Sequence, residues 1–378
     1  MKKILHIPNY YNPHTGGIEQ TTEDFVNSIK GEYDQRVLCF KDAKGTITEE
    51  VNGILVTRVG CQAKLMSQSI AYHYKREMKR LMTEFQPDVV VFHFPNPYVA
   101  RYLMKYLKNK KFKFILYWHL DITKQKVLGK LFKKQTLNLL NYADKIISTS
   151  PNYVKGSEFL PQFENKIKII PSCVNESRVE VNDEINKKAL EIKKKYEGKN
   201  IIFAFGRHVE YKGLTYLIKA SKLLDDSYVV LIGGSGPLTD ELKKEAEADK
   251  KVSFLGRLSL DDLKAHFVAA DIFAFPSITK NEAFGLGLAE AMGFGKPTVT
   301  FTIDGSGVNY VALKDVTCLE VPNRDFESYA EALKTLANNN ELKEKFSLNA
   351  RKRFEEILTY NKYVLNIKEL LKEVVGNE

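Results

Sequence analysis

The sequence has little of what would make it a disulfide-stapled, membrane-spanning or zinc-holding chain. Its four cysteines (Cys39, Cys61, Cys173, Cys318) are scattered through 378 residues with no CxxC pair and no nearby histidine. That spacing argues against a disulfide scaffold and against a cysteine-ligated metal, and predicts reduced, mostly structural thiols. No apolar run approaches the ~20 residues that cross a bilayer. The opening MKKILHIPNYYNPH has two lysines, but its apolar stretch ends at Pro8, too short for a secretory h-region, so the expected location is the cytoplasm. HExxH, GxSxG and Walker A patterns are missing, and no two aspartates are separated by one residue. Apolar residues are not scarce: 44% are hydrophobic and 28% charged, which excludes intrinsic disorder. At roughly 150 residues per domain the length predicts two or three domains.

Short β-rich runs alternate with helical periodicity. KKILHI (2–7), RVLCF (36–40), GILVTRV (53–59), PDVVVFHF (87–94), FKFILYWH (112–119), DKIISTS (144–150) and KIKII (166–170) read as strands, and Ile18, Phe25, Val26 and Ile29 as one helix face. The near-continuous apolar runs suit strands buried on both faces of a parallel sheet. Residues 173–199 are polar and read as a linker with a lead-in helix. A second series follows in NIIFAFG (200–206), YVVLIGG (228–234), KVSFLG (251–256), DIFAFP (271–276) and KPTVTF (296–301), and the end, about 341–376, is helical and charged. Strands alternating with helices imply right-handed β/α crossovers, and two series imply two Rossmann-like domains with a cleft between them.

The 57 basic and 47 acidic residues give a net charge of +10. The excess concentrates between Arg101 and Lys134, where eleven Lys/Arg stand against one acid, Asp121. Such a window is a solvated helix face, a surface that meets an anionic membrane or polyanionic acceptor, or, less well supported, a nucleic-acid contact.

Candidate site residues cluster after strands, where open α/β sheets bind ligands. Gly16-Gly17 follows the first strand and allows close backbone approach at a helix N-terminus, or is a turn needing positive φ. In GRHVEYKG (206–213), Arg207 and Lys212 lie on one strand-to-helix loop and can converge on a diphosphate, a planar fork beside a point charge. The bland reading is two solvated cations. GGSGP (233–237) and FLGRLS (254–259) occupy the equivalent places one and two units on; they include Gly234, Gly256 and Arg257. In ITKNEAFGLGLAEAMGFGKPTV (278–299), Glu282 precedes a helix and Glu290 lies eight residues later on its apolar side. A buried carboxylate needs a partner, and ribose hydroxyls would serve, whereas caps and surface acids are the plain alternative. His119 ends a buried strand, as a core histidine or as a site residue; Asp121, Lys124 and Lys126 follow it.

In order and spacing, Gly-Gly after strand one, the WH pair, GR…KG, GGSGP, FLGR and ExFGLxxxEAMxxGKP resemble retaining glycosyltransferase family 4 over nearly the whole chain, most closely over 200–300. The resemblance implies a GT-B fold. Residues 1–172 would form the acceptor-side domain, with 358–378 packing back on it, and 173–357 the nucleotide-sugar domain. It implies that Arg207 and Lys212 bind the donor diphosphate, that Glu290 holds the ribose and that Glu282 holds the transferred sugar. His119 would lie beside that sugar and Gly17 near the diphosphate. Gly16, Gly234, Gly256, Arg257, Ala283, Phe284, Gly285 and Leu286 complete the donor contacts. HLDITKQK (119–126) and GSGVNYV (305–311), with Asn309 where a glutamate is common, resemble a subgroup building bacterial O-antigen or capsule. The expectation is therefore a metal-independent, retaining hexosyltransferase needing no cofactor. It would use a lipid-linked saccharide acceptor, rest on the inner membrane face through 101–134 and bind no nucleic acid. A sugar-nucleotide epimerase and a basic nucleic-acid-binding protein are the alternatives.

Overall fold

The computed structural model describes residues 1–14, 16–65, 68–121 and 129–376. Lys124 and Lys126 lie outside them. The chain divides into two compact units. The first comprises Met1–Thr149, Ser157–Pro171 and Tyr363–Glu378, and the second Ser150–Gly156 and Ser172–Lys362.

The first unit is built on an eight-stranded sheet. Its strands are β1 (Lys3–Ile7), β2 (Asp34–Lys41), β3 (Thr46–Val51), β4 (Ile54–Gly60), β7 (Val89–Phe94), β8 (Lys113–Trp118), β9 (Lys145–Ser148) and β10 (Ile167–Ile169). A two-stranded hairpin, β5 (Ala63–Leu65) and β6 (Gln68–Ile70), stands apart. The order is β10-β9-β8-β7-β1-β2-β4-β3, parallel except for β3 against β4. From β1 the chain runs outward to β2 and β4, then returns to place β7 on the other side of β1. The topological switch point, where α/β sheets bind ligands, therefore lies beyond the ends of β1 and β7. Every residue of β7 is buried, as expected where helices cover both faces. The helix Tyr360–Val375 buries Tyr363, Ile367, Leu370, Leu371 and Val374, a stripe at helical spacing. Its Glu373 bridges Lys145 (2.8 Å) and Lys168 (3.1 Å) at the β9–β10 edge.

The second unit carries a six-stranded, fully parallel sheet of β11 (Asn200–Phe205), β12 (Tyr228–Gly233), β13 (Val252–Gly256), β14 (Ile272–Phe275), β15 (Thr298–Phe301) and β16 (Cys318–Val321). Their order is β13-β12-β11-β14-β15-β16. The direction of winding reverses between β11 and β14, so this unit's switch point lies beyond Phe205 and Phe275. The lead-in helix Asp183–Lys195 is capped by Asn182, whose side chain accepts from Ile185 N, and its acidic first turn and lysine-rich last turn match the helix dipole. Ile185 and Ala189 pack it against Ala265 and Ala269.

Ser150–Gly156 joins the second unit because Gly156 lies against Gly305, where a Cβ on Gly156 would come 2.1 Å from the Gly305 Cα. Lys280 Nζ also donates to Gly156 O at 3.0 Å. The return segment belongs to the first unit from Tyr363, five residues later than the expected 358. Val174 N donates to Leu358 O (2.8 Å) and Tyr360 N to Val174 O, which holds 358–360 in the second unit. Four strands escaped the sequence reading, the three-residue strands β5 and β6 and the longer β3 and β16. β3 is a mostly exposed antiparallel edge, and β16 is short and largely half-buried, so neither shows as an apolar run.

Candidate functional site

At the second switch point, β11 ends in Gly206-Arg207 and the next helix begins after Lys212-Gly213. A small recess there is lined by Gly206, Arg207, Lys212, Phe275 and Ser277, among others. Arg207 is exposed, with no ion pair among the described residues. Lys212 Nζ contacts Glu282 Oε2, and both side chains are largely buried. The ammonium also lies 5.0 Å from the centroid of Phe275, and Ser277 Oγ donates to Glu282 Oε2 at 3.1 Å. Two residues predicted separately, the diphosphate lysine and the sugar carboxylate, thus form one oriented pair. Tyr211 beside them has its phenol pushed up, first by burial and then by the charge of Glu282.

The turn carrying Glu282, Ala283, Phe284 and Gly285 ends at the helix Leu286–Gly293. It is roofed by the 305–307 stretch: Ser306 Oγ donates to Glu282 O, and Gly307 N donates to Ala283 O at 3.0 Å. Asn309 has a structural task, accepting from Ile303 N (2.9 Å) and donating to Phe301 O (3.1 Å). A cavity of about 560 Å³ lies beside this turn, lined by Ile278, Thr279, Lys280, Thr302, Ile303, Asp304, Pro322 and Asn323.

Glu290 is buried, and its partner is a residue the sequence reading passed over. Arg178 donates through Nε and Nη2 to Glu290 Oε1, both at 2.6 Å. Arg178 ends the turn Glu176–Arg178, which the buried Lys264 holds by donating to Ser177 O (2.7 Å) and Glu180 O (3.0 Å). Read as part of a polar linker, this segment delivers a cation to the helix.

The glycines sort into two kinds. A Cβ on Gly234, at φ +107°, would come 1.9 Å from Gly206 O, and one on Gly236 would come 2.4 Å from His208 O. What these glycines bring close is therefore the protein's own Arg207 loop, which Leu238 N also fastens by donating to His208 O at 3.1 Å. Gly256, whose carbonyl accepts from Gly234 N at 2.7 Å, and Arg257, which donates to Ser235 Oγ at 3.1 Å, buttress the same loop. Gly17 is different. Of the two readings of this pair, the turn with positive φ is not there: Gly16 has φ 176°, an extended backbone, and Gly17 is not among the positive-φ residues. A Cβ on Gly17 would meet nothing within 4 Å, so neither packing nor backbone strain requires glycine at this helix N-terminus.

In the first unit His119 follows β8 at the switch-point end and is only 7% exposed. Its Nε2 lies 3.0 Å from His93 Nδ1 on β7, and its ring stacks on Tyr117 with centroids 4.4 Å apart. Burial holds its pKa down at about 3, so the ring is neutral. Asp121 accepts from Trp118 Nε1 (3.1 Å) and Ser157 Oγ (2.9 Å), a structural bracket on the same loop. In the basic window Lys110 contacts Asp144 and Lys133 pairs with Glu158, which reduces the open charge. Arg101, Lys105, Lys108, Lys111 and Lys113 remain exposed. Among the described residues no helix is long and apolar enough to cross a membrane.

Two α/β units, each built on a largely parallel sheet with a topological switch point, are the make-up of the GT-B class, and comparison with known proteins agrees. The UDP complex of HepE from Anabaena superposes with a TM-score of 0.79 at 15% identity, covering 99% of this chain and all of that one. The family described as glycosyl transferases group 1 matches residues 186–353, and Glycosyltransferase Family 4 matches 15–178. Over 365 residues the chain is 30% identical to D-rhamnosyltransferase WbpZ of Pseudomonas aeruginosa, covering 94% of this chain and 92% of that protein. It is 27% identical to O-antigen chain mannosyltransferase C of Escherichia coli, covering 94% of each. The chain belongs to the family 4 glycosyltransferases. It is a glycosyltransferase of GT-B fold, and neither an epimerase nor a nucleic-acid-binding protein is favoured.

Proposed function

We propose that this enzyme transfers a hexose, with retention and without a metal, from a nucleotide-sugar donor to a saccharide acceptor in cell-surface polysaccharide synthesis. The observation that carries the reading is the Lys212–Glu282 pair beside the open Arg207 at the second switch point. Leaving of a nucleoside diphosphate develops negative charge, and two cations at that place stabilise it. In the proposed step the C1–O bond to the diphosphate breaks with its electron pair going to phosphate. The acceptor oxygen bonds C1 on the same face, and its proton passes to the leaving phosphate. Glu282 and His119 hold hydroxyls of the sugar, and Glu290 the ribose. The amides of Gly17 and of Ala283 to Leu286 contribute at helix N-termini. Gly16, Gly234, Gly256 and Arg257 shape the loops around the donor.

Support for a nucleotide donor comes from the HepE complex, which holds UDP. Support for a deoxyhexose or hexose and a polysaccharide acceptor comes from the names of the rhamnosyl and mannosyl relatives. Lipid linkage of the acceptor and a cytoplasmic, inner-face membrane location rest on the exposed Arg101, Lys105, Lys108, Lys111 and Lys113. A polybasic patch gains about 1 kcal/mol per cation near an anionic surface.

Thermal stabilisation against UDP-, GDP-, dTDP- and CMP-sugars, with and without EDTA, tests the donor reading. A selective rise that survives the chelator is expected. Folded protein that responds to none of them refutes it, and a rise abolished by EDTA refutes metal independence.

A further inference from the structure

The ring of His119 does not sit alone. His93 Nδ1 lies 3.0 Å from His119 Nε2 and 3.2 Å from Thr22 Oγ1, and it is buried completely. The two histidine rings lie within 10° of parallel. His6 is 6.3 Å from His93, centroid to centroid, and hydrogen-bonds Gln35 at 3.0 Å. Burial keeps all three rings neutral: His119 is held at about 3, His6 at about 4, and His93 well below its ordinary value.

A neutral imidazole has one N–H, so its place is decided by what each nitrogen meets. Thr22 gives its hydroxyl proton to Ile18 O at 2.8 Å, the back-bond threonine makes within a helix. Its oxygen is then an acceptor toward His93, which places the His93 proton on Nδ1. The other nitrogen, His93 Nε2, is buried with no hydrogen-bond partner among the described residues. An unpaired lone pair is tolerated there better than an unpaired N–H, which leads to the same tautomer. With its proton on Nδ1, His93 is a donor, and the contact with His119 makes His119 Nε2 the acceptor. The His119 proton is left on Nδ1, which has no partner among the described residues.

We propose that Thr22 and His93 are positioning residues that fix His119 as its Nδ1–H tautomer, so that it meets the transferred sugar as a neutral hydrogen-bond donor and not as a general base. The proposal rests on the reading that His119 lies beside that sugar. It gives the acceptor's proton no path to this histidine and leaves it to the departing phosphate.

Nitrogen-15 NMR of histidine-labelled wild-type protein tests the tautomer directly, with the His119 signals assigned by their loss in His119→Gln. A protonated Nδ1 and an unprotonated Nε2 are expected, and protonated Nε2 overturns the proposal. Two substitutions at His93 read the consequence. His93→Asn retains a donor near the Nδ1 position and should keep the His119 tautomer and most of the turnover of the nucleotide sugar identified in the ligand panel. His93→Leu should shift the tautomer and lower kcat roughly 10- to 100-fold with donor KM little changed. A His119 spectrum in His93→Leu identical to wild type overturns the positioning role. Wild-type kcat in His119→Ala would instead refute the sugar contact while leaving the tautomer result standing, so the two failures are distinguishable.

Discussion

Replacing Lys212 with alanine should lower both stability and donor affinity, and a second substitution should restore only the first. The Glu282 side chain is 11% exposed and that of Lys212 16%, so the pair is largely dry. Without the ammonium, Glu282 keeps, among the described residues, the Ser277 hydroxyl at 3.1 Å. Removing one member of a fully buried pair costs about 3–5 kcal/mol. Residual access to water brings this to about 2–3 kcal/mol, which for a unit of this size lowers Tm by roughly 5–10 °C. A charge-assisted hydrogen bond to phosphate contributes about 1.5–3 kcal/mol, so the nucleoside diphosphate should bind about 10- to 150-fold more weakly. In Lys212→Met/Glu282→Gln no charge is left unpaired, and Tm should recover while affinity stays low. The assays are scanning calorimetry and isothermal titration with the diphosphate of the donor that stabilises the wild type. An unchanged Tm in Lys212→Ala would refute the ion pair. Wild-type affinity in the double variant would refute direct contact between Lys212 and phosphate.

Arg178→Ala leaves the buried Glu290 without its guanidinium; because Arg178 itself is 43% exposed, the expected cost is about 1–2 kcal/mol, seen as a lower urea midpoint, and no change would refute the pairing. His6, His93 and His119 stay neutral when folded but take up protons near pH 6.5 when unfolded, so stability is full above about pH 6.5 and falls as pH drops. The slope is about 1.4 kcal/mol per pH unit for each histidine that remains neutral, and a urea midpoint that does not change between pH 7 and 5 would refute it. Gly17→Ala should keep the wild-type Tm and weaken donor binding, whereas Gly234→Ala should destabilise strongly because its Cβ would lie 1.9 Å from Gly206 O. Equal Tm values in the two variants would overturn that division of the glycines.

How far the sequence could be read depended on the range of each interaction. VVVFHF, KFILYW, NIIFAF and YVVLIG became buried parallel strands because a continuous apolar run has few other ways to be covered. β3 and β16 were missed because an edge strand owes its existence to a neighbour's unpaired backbone and not to its own apolar pattern. In the site, Arg207, Lys212, Glu282 and Glu290 were found as charges on loops and helices that follow strands. Their pairing was not. Glu290 was expected to need a partner, but Arg178 stands 112 positions away in a polar stretch that resembled linker. His93 was hidden inside a strand whose near-continuous apolar run says only that it is buried.

The sequence by itself determined the two β/α series, their separation by a polar segment and the charged, glycine-bearing loops after their strands. These follow from periodicity, turn residues and local charge, which act over a few residues. The tertiary structure decided where each switch point falls, since strand order depends on which crossovers pack together. It also decided which glycines serve the fold and which charges meet. A Cβ at Gly234 is forbidden by a carbonyl that only the folded chain brings near, and the one at Gly17 is not. The proton on His119 was likewise settled by Thr22 and His93, from a helix and a strand far away in sequence, because the single N–H of buried His93 faces Thr22 and His119 and leaves His119 Nε2 as the acceptor.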